Sequence, residues 1–347
     1  MATPPNIVVL GAGSVGCFIG GAWAAEGLNV SFIGRQKVEE EVKRHGVRLS
    51  DVDGWRTHLP PDAVAFSTKP AALAKADIVL LTTKSGGTAA AAKQIAAHAK
   101  RKPAVISFQN GVTNAELLKS LLPKHEVVQG IVPFNVAHQG HGRWHKGVSG
   151  TLAAEGTATI CTIAKRVASG PATLRPVSDI AGLAWGKLLI NLNNAVNALS
   201  GKPLLQELGE RDYRRVVAAS MIEALDLLKA AGIEPAQVGP IPPKLLPHAI
   251  AAPNFIFRNL LLRIQRIDAN ARSSMLDDLE AGRPTEIDYL NGEVVKLAGK
   301  LGRDAPVNSA IADLVRQREA GVEHLWTASE LRRYVLEGHR GAALFGY

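Results

Sequence analysis

The chain has 347 residues, 46% hydrophobic and 20% charged, a length that suits two domains and a composition that suits a globular fold. Its formal charge of +9 arises from 40 Lys and Arg scattered among 31 Asp and Glu, with no aromatic-interleaved basic tract, which argues against nucleic acid and in favour of small anionic partners. No uncharged run of ~20 apolar residues suggests a membrane span, and two cysteines, Cys17 and Cys161, without metal-ligand spacing fit a reducing cytosol.

Met1 to Asn6 lacks the charged start and apolar core of a signal peptide. Ile7-Val8-Val9-Leu10 then reads as a buried parallel strand. It runs into Gly11-Ala12-Gly13-Ser14-Val15-Gly16 and a small-residue helix from Cys17 to Glu26. Strand, G-x-G-x-x-G, helix is a dinucleotide-binding arrangement. Gly11 allows the tight turn, Gly13 lets the backbone approach a pyrophosphate, and Gly16 lets helix and strand pack closely. The anion would sit on amides at the helix N-terminus; the alternative is a glycine-rich turn without ligand.

The second strand, Val30 to Ile33, ends at Gly34-Arg35-Gln36-Lys37. An NAD enzyme places an acid there for the ribose 2′-hydroxyl. Arg35 suits a 2′-phosphate instead, so NADP(H) is expected, the alternative being a solvated loop charge. Gly46 to Pro60, with Asp53-Gly54 as a turn, predicts an antiparallel hairpin inserted in the sheet. Ile78 to Leu81 is a strand ending at Thr82-Thr83-Lys84-Ser85, a carboxyl edge where open α/β sheets bind ligands. Lys84 is thus placed near a phosphate or anionic substrate, or is a surface lysine. Ala89 to Lys100 predicts a helix, Val105 to Phe108 a strand, and Gln109-Asn110-Gly111 follows at the same edge. Asn110 can contact cofactor or substrate, or serve as a turn residue. Val127 to Val132 continues the sheet. Thr151-Leu152 and Ala158-Thr159-Ile160 read as strand-like, with Trp144-His145-Lys146-Gly147 as a turn.

From about Asp179 the pattern turns helical, which divides the chain into residues 1–178 and 179–347. In Trp185-Gly186-Lys187-Leu188-Leu189-Ile190-Asn191-Leu192-Asn193-Asn194, Lys187 and Asn191 lie four apart on one helical face, and Asn194 continues the stripe. A lysine and two amides on an otherwise apolar helix are costly to bury unless hydrogen-bonded, so they are either a structural network or a site. Leu204 to Ala231 carries helical periodicity ending at Gly232, Pro235 to Pro253 reads as turns and linkers, and Phe255 to Ile267 as a helix. Thr285 is a candidate N-cap with Asp288 as its box-like partner. Glu286 then lies in a first turn favoured by the dipole, or beside Lys187, where its charge would hold the ammonium protonated. The basic tail ends Ala342 to Tyr347.

Together these residues resemble the ketopantoate reductase (2-dehydropantoate 2-reductase) family over residues 6 to 315 or so. The glycine loop, Thr83-Lys84 and Gln109-Asn110-Gly111 carry the general part. The Trp-x-Lys-x-x-x-Asn helix and Ser273-Ser274-Met275 leading to Thr285-Glu286-Ile287-Asp288-Tyr289 carry the specific part. The resemblance implies a Rossmann-type domain followed by an all-helical domain, with an active site in the cleft between them. It implies NADPH-dependent reduction of ketopantoate to (R)-pantoate, a step towards coenzyme A. Lys187 would be the general acid, Asn191 and Ser274 would hold substrate, Asn110 would touch cofactor and substrate, and Glu286 would contact the cofactor near the lysine. Where some members carry a second amide this chain has Ala195; Asn194 is the nearest substitute and Asn197 another, and no further asparagine is evident around Lys202-Pro203-Leu204. The expected partners are a small 2-keto acid and, in assembly, a second copy of the chain as a homodimer. Competing readings are a reductase of another 2-keto acid, a β-hydroxyacid dehydrogenase, and a non-catalytic NADP-binding sensor.

Overall fold

The computed structural model describes residues 4–257, 259 and 271–338, in two compact units, Met1–Ile180 and Ala181–Tyr347. The first unit holds strands β1 (Asn6–Leu10), β2 (Asn29–Ile33), β3 (Val47–Asp51), β4 (Arg56–Leu59), β5 (Ala65–Ser67), β6 (Ile78–Leu81), β7 (Ala104–Ser107), β8 (Val127–Ile131), β9 (Val136–His138), β10 (Arg143–Lys146), β11 (Leu152–Glu155) and β12 (Leu174–Val177). Its helices are α1 (Ser14–Ala25), α2 (Gln36–His45), α3 (Thr88–His98), α4 (Asn114–Leu121) and α5 (Ala158–Arg166). Eight strands form one sheet in the order β12-β11-β8-β7-β6-β1-β2-β5, with parallel pairing from β8 through to β5. The central strands are continuous apolar runs, buried residue after residue as two-sided burial demands.

A second sheet, β4-β3-β10-β9, lies against the other side of α1. This explains why α1 is built from small residues. A Cβ on Gly20 would lie 2.6 Å from Phe32 and Val9 of the large sheet, and one on Gly21 2.9 Å from Leu49 of the small sheet. The helix is clamped on two faces, and Trp23, fully buried, closes its end by donating Nε1–H to the Ala172 carbonyl at 2.8 Å.

Three local expectations are corrected here. The Gly46–Pro60 hairpin forms, but in the small sheet: β5 takes the free edge of β2, and β3 pairs with β10 in parallel, Arg48 opposite Arg143. Trp144 to Lys146 is strand, not turn. Trp144 and Lys146 alternate inward, and the buried lysine is tolerated because its ammonium donates to the carbonyls of Gly150 (2.8 Å) and Pro171 (2.7 Å) and lies 4.4 Å above the Phe134 ring. Ala158 to Ile160 opens helix α5, capped by Thr157, whose side chain accepts from Ile160 N–H, with Ile160 and Ile163 buried one turn apart.

In the second unit, α6 (Ile180–Asn191) and α7 (Asn193–Ser200) meet at Leu192, so the lysine–asparagine stripe crosses a helix junction. The periodic stretch after Leu204 divides at the extended Glu210 into α8 (Leu204–Gly209) and α9 (Arg211–Ala230). Helix α9 ends in a Schellman motif. Gly232 at φ +69° donates to the Lys229 carbonyl and Ile233 to that of Leu228. The proline-rich stretch after it docks on α6: Ala236 N–H donates to the Gly182 carbonyl at 2.8 Å, and its own carbonyl abuts Gly186 where a Cβ would stand. Glu223 of α9 caps the Pro306–Glu319 helix by accepting from the amides of Val307 and Asn308, both 2.9 Å. The Thr285–Asp288 capping box does not form. Thr285 Oγ1 accepts from Ile287 N–H, Glu286 precedes a 3₁₀ turn at Ile287–Tyr289, and Asp288 pairs with Arg316. The expected helix over Phe255–Ile267 falls largely, and the Ala342–Tyr347 end wholly, outside the described residues. No described helix is long and apolar enough to cross a membrane.

Candidate functional site

The glycine loop is shaped by both of its neighbours. The amides of Gly11 and Ala12 donate to the Ile33 carbonyl at the end of β2, at 3.0 and 2.9 Å, which folds the loop over that strand end. Gly11 sits at φ +101°, with Thr83 N only 2.5 Å from where a Cβ would be. A Cβ on Gly16 would lie 2.5 Å from Thr82 Oγ1 and 2.8 Å from the Gly11 carbonyl. Gly13 differs: its nearest neighbour would be the Gly11 carbonyl at 3.9 Å, so open space lies in front of it. Helix α1 starts there with no side-chain cap and no acid in its first turn. The amides of Ser14, Val15 and Gly16 therefore open a helix with no intrahelical acceptor, as a pyrophosphate would require. One glycine faces space and two face packing, which fits a dinucleotide.

At the end of β2, Gly34 packs on Ala12 and Phe66, and Arg35 follows, exposed, its carbonyl opening α2 and its guanidinium without a hydrogen-bond or ion-pair partner among the described residues. The loops after β6 and β7 are tied together beneath the surface. Gln109 Nε2 donates to Thr83 O (3.1 Å) and Thr88 Oγ1 (2.9 Å), Thr88 Oγ1 donates to Asn114 Oδ1 (2.8 Å), and Asn114 Nδ2 donates to the Asn110 carbonyl (2.6 Å). Ser85 Oγ donates to that same carbonyl at 3.0 Å. This network fixes the backbone that carries exposed Lys84 and half-buried Asn110. Thr88 and Asn114 have no sequence signal beyond their polarity inside helix starts.

In the second unit, burial draws the Lys187 ammonium down from its ordinary 10.5 to about 8, opposed by the Glu286 carboxylate, whose charge favours the protonated form. Lys187 and Glu286 are thus electrostatically coupled within this unit. Gly186 beside the lysine is required by the approach of the Ala236 carbonyl. Around the α6–α7 junction the polar groups divide into two kinds. The side-chain amides of Asn191 and Asn194 and the hydroxyl of exposed Ser274 have no protein hydrogen-bond partner among the described residues. Asn197 is wholly buried and fully committed: its Oδ1 accepts from Ser273 N–H (3.0 Å) and its Nδ2 donates to the Lys202 carbonyl (2.9 Å). Asn197 therefore does not stand in for the amide missing at Ala195. Ser273, also buried, caps the Ser274–Glu280 helix by accepting from Leu276 N–H, and donates to the Asn194 carbonyl at 3.2 Å. The sequence places Ser273 only in the Ser273-Ser274-Met275 motif, although a serine at the start of an apolar helical run is an N-cap signal. Among the described residues no group of three His, Cys, Asp or Glu could hold a metal.

Two family profiles match the chain in succession: "Ketopantoate reductase PanE/ApbA" over residues 7–155 and its C-terminal counterpart over residues 179–319. A 2-dehydropantoate 2-reductase of Archaeoglobus fulgidus is 25% identical over 331 residues, covering 91% of this chain and 99% of that protein. The solved PanE/ApbA family ketopantoate reductase of Ralstonia eutropha JMP134 is 28% identical with a TM-score of 0.78, covering 92% and 100% of the two chains. D-mandelate dehydrogenase, solved with NADH and anilino(oxo)acetate, shares the fold at 18% identity and a TM-score of 0.72, covering 91% and 98%.

Proposed function

The chain belongs to the ketopantoate reductase family, dinucleotide-binding oxidoreductases that act on CH–OH groups, and from that premise we propose that it reduces 2-dehydropantoate to (R)-pantoate with NADPH, taking the proton from Lys187. The bound nicotinamide supplies the hydride to the carbonyl carbon. As charge builds on the carbonyl oxygen, Lys187 Nζ stabilises it and then gives up a proton, a contribution typically worth ~10²–10⁴-fold. An amine brought to about 8 is charged at neutral pH, yet releases its proton far more readily than a free lysine. Glu286 keeps it charged while it waits. The uncommitted amides of Asn191 and Asn194 and the Ser274 hydroxyl orient the substrate's carboxylate and hydroxyl without adding charge. Gly11 to Gly16 receive the pyrophosphate, Arg35 the 2′-phosphate, and Lys84 and Asn110 the cofactor at the carboxyl edge of the sheet.

What carries this reading is Lys187 itself, a half-buried lysine on an apolar helix, drawn down by its surroundings with the Glu286 carboxylate opposing. The test is NADPH oxidation with 2-dehydropantoate beside a panel of 2-keto and 3-keto acids, for the natural chain and for Lys187→Ala. Loss of turnover with intact NADPH binding is expected. Tight NADPH binding with no turnover on any acid points to a sensor instead. A second reading, reduction of another 2-keto acid, is favoured by one observation: Ala195 is buried and apolar, and Asn197 is occupied, so one amide fewer faces the substrate.

A further inference from the structure

Behind the α6–α7 junction lies a group the proposed reaction does not use. Glu207 of α8 is fully buried, and the first residue of α7, Asn193, donates Nδ2–H to its Oε2 at 3.2 Å. The two remaining oxygens of this pair, Glu207 Oε1 and Asn193 Oδ1, are both buried with no hydrogen-bond partner among the described residues; Asn197 also favours the charged form of Glu207, but its Nδ2 is held on the Lys202 carbonyl. Two orphaned acceptors on facing groups are what a carboxylate beside an amide leaves behind, and a single proton satisfies both. A carboxylic acid and a primary amide meet edge to edge, the amide N–H on one acid oxygen and the acid O–H on the amide oxygen. An unprotonated pair would instead leave two lone-pair sets unmet in a dry interior.

Among the described residues no salt bridge to Glu207 is formed. Arg214 of α9 acts on it through its charge, but its guanidinium donates to the carbonyls of Ile250 and Ala252, both 2.7 Å, and to Asn254 Oδ1, and lies 4.1 Å over the Phe257 ring. Glu210 repels a charge at Glu207 and takes Lys202 for itself at 2.5 Å; Tyr213 lies within reach of the same field. Burial outweighs the favourable contacts with Asn193, Asn197 and Arg214, and the carboxyl is raised to about 8.

We infer that Glu207 is a neutral acid paired head to head with the Asn193 amide, and that this pair is a positioning device that sets the α6–α7 junction and with it Asn191 and Asn194. Asn193 lies between those two residues in sequence, at the first position of α7, so the pair grips the junction itself. Asn197, one turn further along α7, ties the middle of the helix to Ser273 N–H. The inference rests on the reading of Asn191 and Asn194 as substrate amides only for its effect on activity.

Glu207→Gln can present an N–H to Asn193 Oδ1 and keep an oxygen for Asn193 Nδ2, whereas Glu207→Leu has the bulk without either bond. Three readouts apply to the whole chain. The infrared spectrum at pH 7 should contain a carboxylic-acid C=O band that Glu207→Gln lacks; loss of a carboxylate band instead would overturn the neutral pair. The backbone amide resonances of Asn191 and Asn194 should hold in Glu207→Gln and move in Glu207→Leu; no movement in Glu207→Leu would overturn the positioning role. In the assay, Glu207→Gln should match the natural chain, and Glu207→Leu should lose up to about a hundredfold in kcat/KM for the keto acid, with dinucleotide affinity unchanged. If the natural chain reduces no keto acid, the substrate reading fails by itself, and the band and the resonances still decide the pair.

Discussion

Substituting the loop glycines one at a time separates ligand contact from packing. In Gly13→Ala the new Cβ meets only the Gly11 carbonyl at 3.9 Å, and the residue's φ of −92° and ψ of −157° are open to alanine. The unliganded protein should therefore be as stable as before, or more stable by about 0.4–1 kcal/mol through a less flexible unfolded chain. On the proposed binding mode, the methyl group would occupy the space through which a pyrophosphate reaches the amides of Ser14 to Gly16. Loss of even one charge-assisted hydrogen bond there is worth about 1.5–3 kcal/mol, so dinucleotide affinity should fall by at least about tenfold. Gly16→Ala works the other way. Its Cβ would stand 2.5 Å from Thr82 Oγ1 and 2.8 Å from the Gly11 carbonyl, so α1 must move off β1. Overpacking of this kind costs about 1–3 kcal/mol, which for a unit of this size lowers Tm by roughly 2–12 °C. Thermal unfolding without ligand and fluorescence titration with NADPH read the two effects separately. A Gly13→Ala protein that unfolds early, or that binds NADPH as the natural chain does, refutes the assignment of Gly13 to the ligand.

Further expectations concern the second unit and the cofactor. On the proposed mechanism the proton comes from Lys187, so kcat should be level below pH 8 and fall as the pH rises through about 8; Glu286→Gln should move that fall to lower pH, and a profile unmoved by that change would separate Glu286 from the lysine. The same lysine weakens the fold. Its folded value of about 8 lies below the ordinary 10.5, so the unfolded chain binds more protons in that window and stability rises with pH across it. Lys187→Met should thus be inactive yet more stable than the natural chain at pH 7, by an advantage that shrinks from pH 8 to 10.5 in denaturant melts. Arg35→Ala should weaken NADPH roughly tenfold or more and leave NADH nearly unchanged; an unaltered ratio of the two affinities removes Arg35 from the 2′-phosphate. Ser273→Ala removes the cap of its helix and the tie to Asn194, and should cost on the order of 1–2 kcal/mol in chemical denaturation.

What could be read from the sequence was what the backbone itself demands. The run from Ile7 to Gly16 announces strand, turn and helix because few other residues tolerate φ +101° at Gly11 or the approach of Thr82 to Gly16. Lys187 and Asn191 stood out because polar residues at helical spacing are rare in an apolar stretch. Short segments failed where periods of two and of 3.6 cannot be told apart. Ala158-Thr159-Ile160 is too brief to show its turn, and Trp144 to Lys146 conceals its alternation behind a lysine that happens to point inward. The hairpin after Gly46 was correct in itself but placed in the wrong sheet, because its partner β10 lies far along the chain. Tertiary contacts left no local trace at all. Gly186 looks like a weak helical residue until the Ala236 carbonyl is seen against it, and Glu207, in Leu-Leu-Gln-Glu-Leu-Gly, reads as an ordinary solvated charge.

The small sheet over α1 has a consequence for any attempt to dissect the chain. A minimal nucleotide-binding module would seem to end after β8, at Ile131, yet β9 and β10 would then be missing, and β3 would lose the strand that pairs with it along Arg48 to Asp51. Trp144 would go as well, and with it the wall that shields the outer surface of the glycine helix. Such a fragment would expose an apolar flank and an open strand edge together, and self-association is the expected fate of that combination. The nucleotide half stacks α3 and α4, the large sheet, α1 and the small sheet as four layers, and the strands that complete the last of them, β9 and β10, come late in the chain, so its shortest independent form has to include residues well past the final phosphate-side loop.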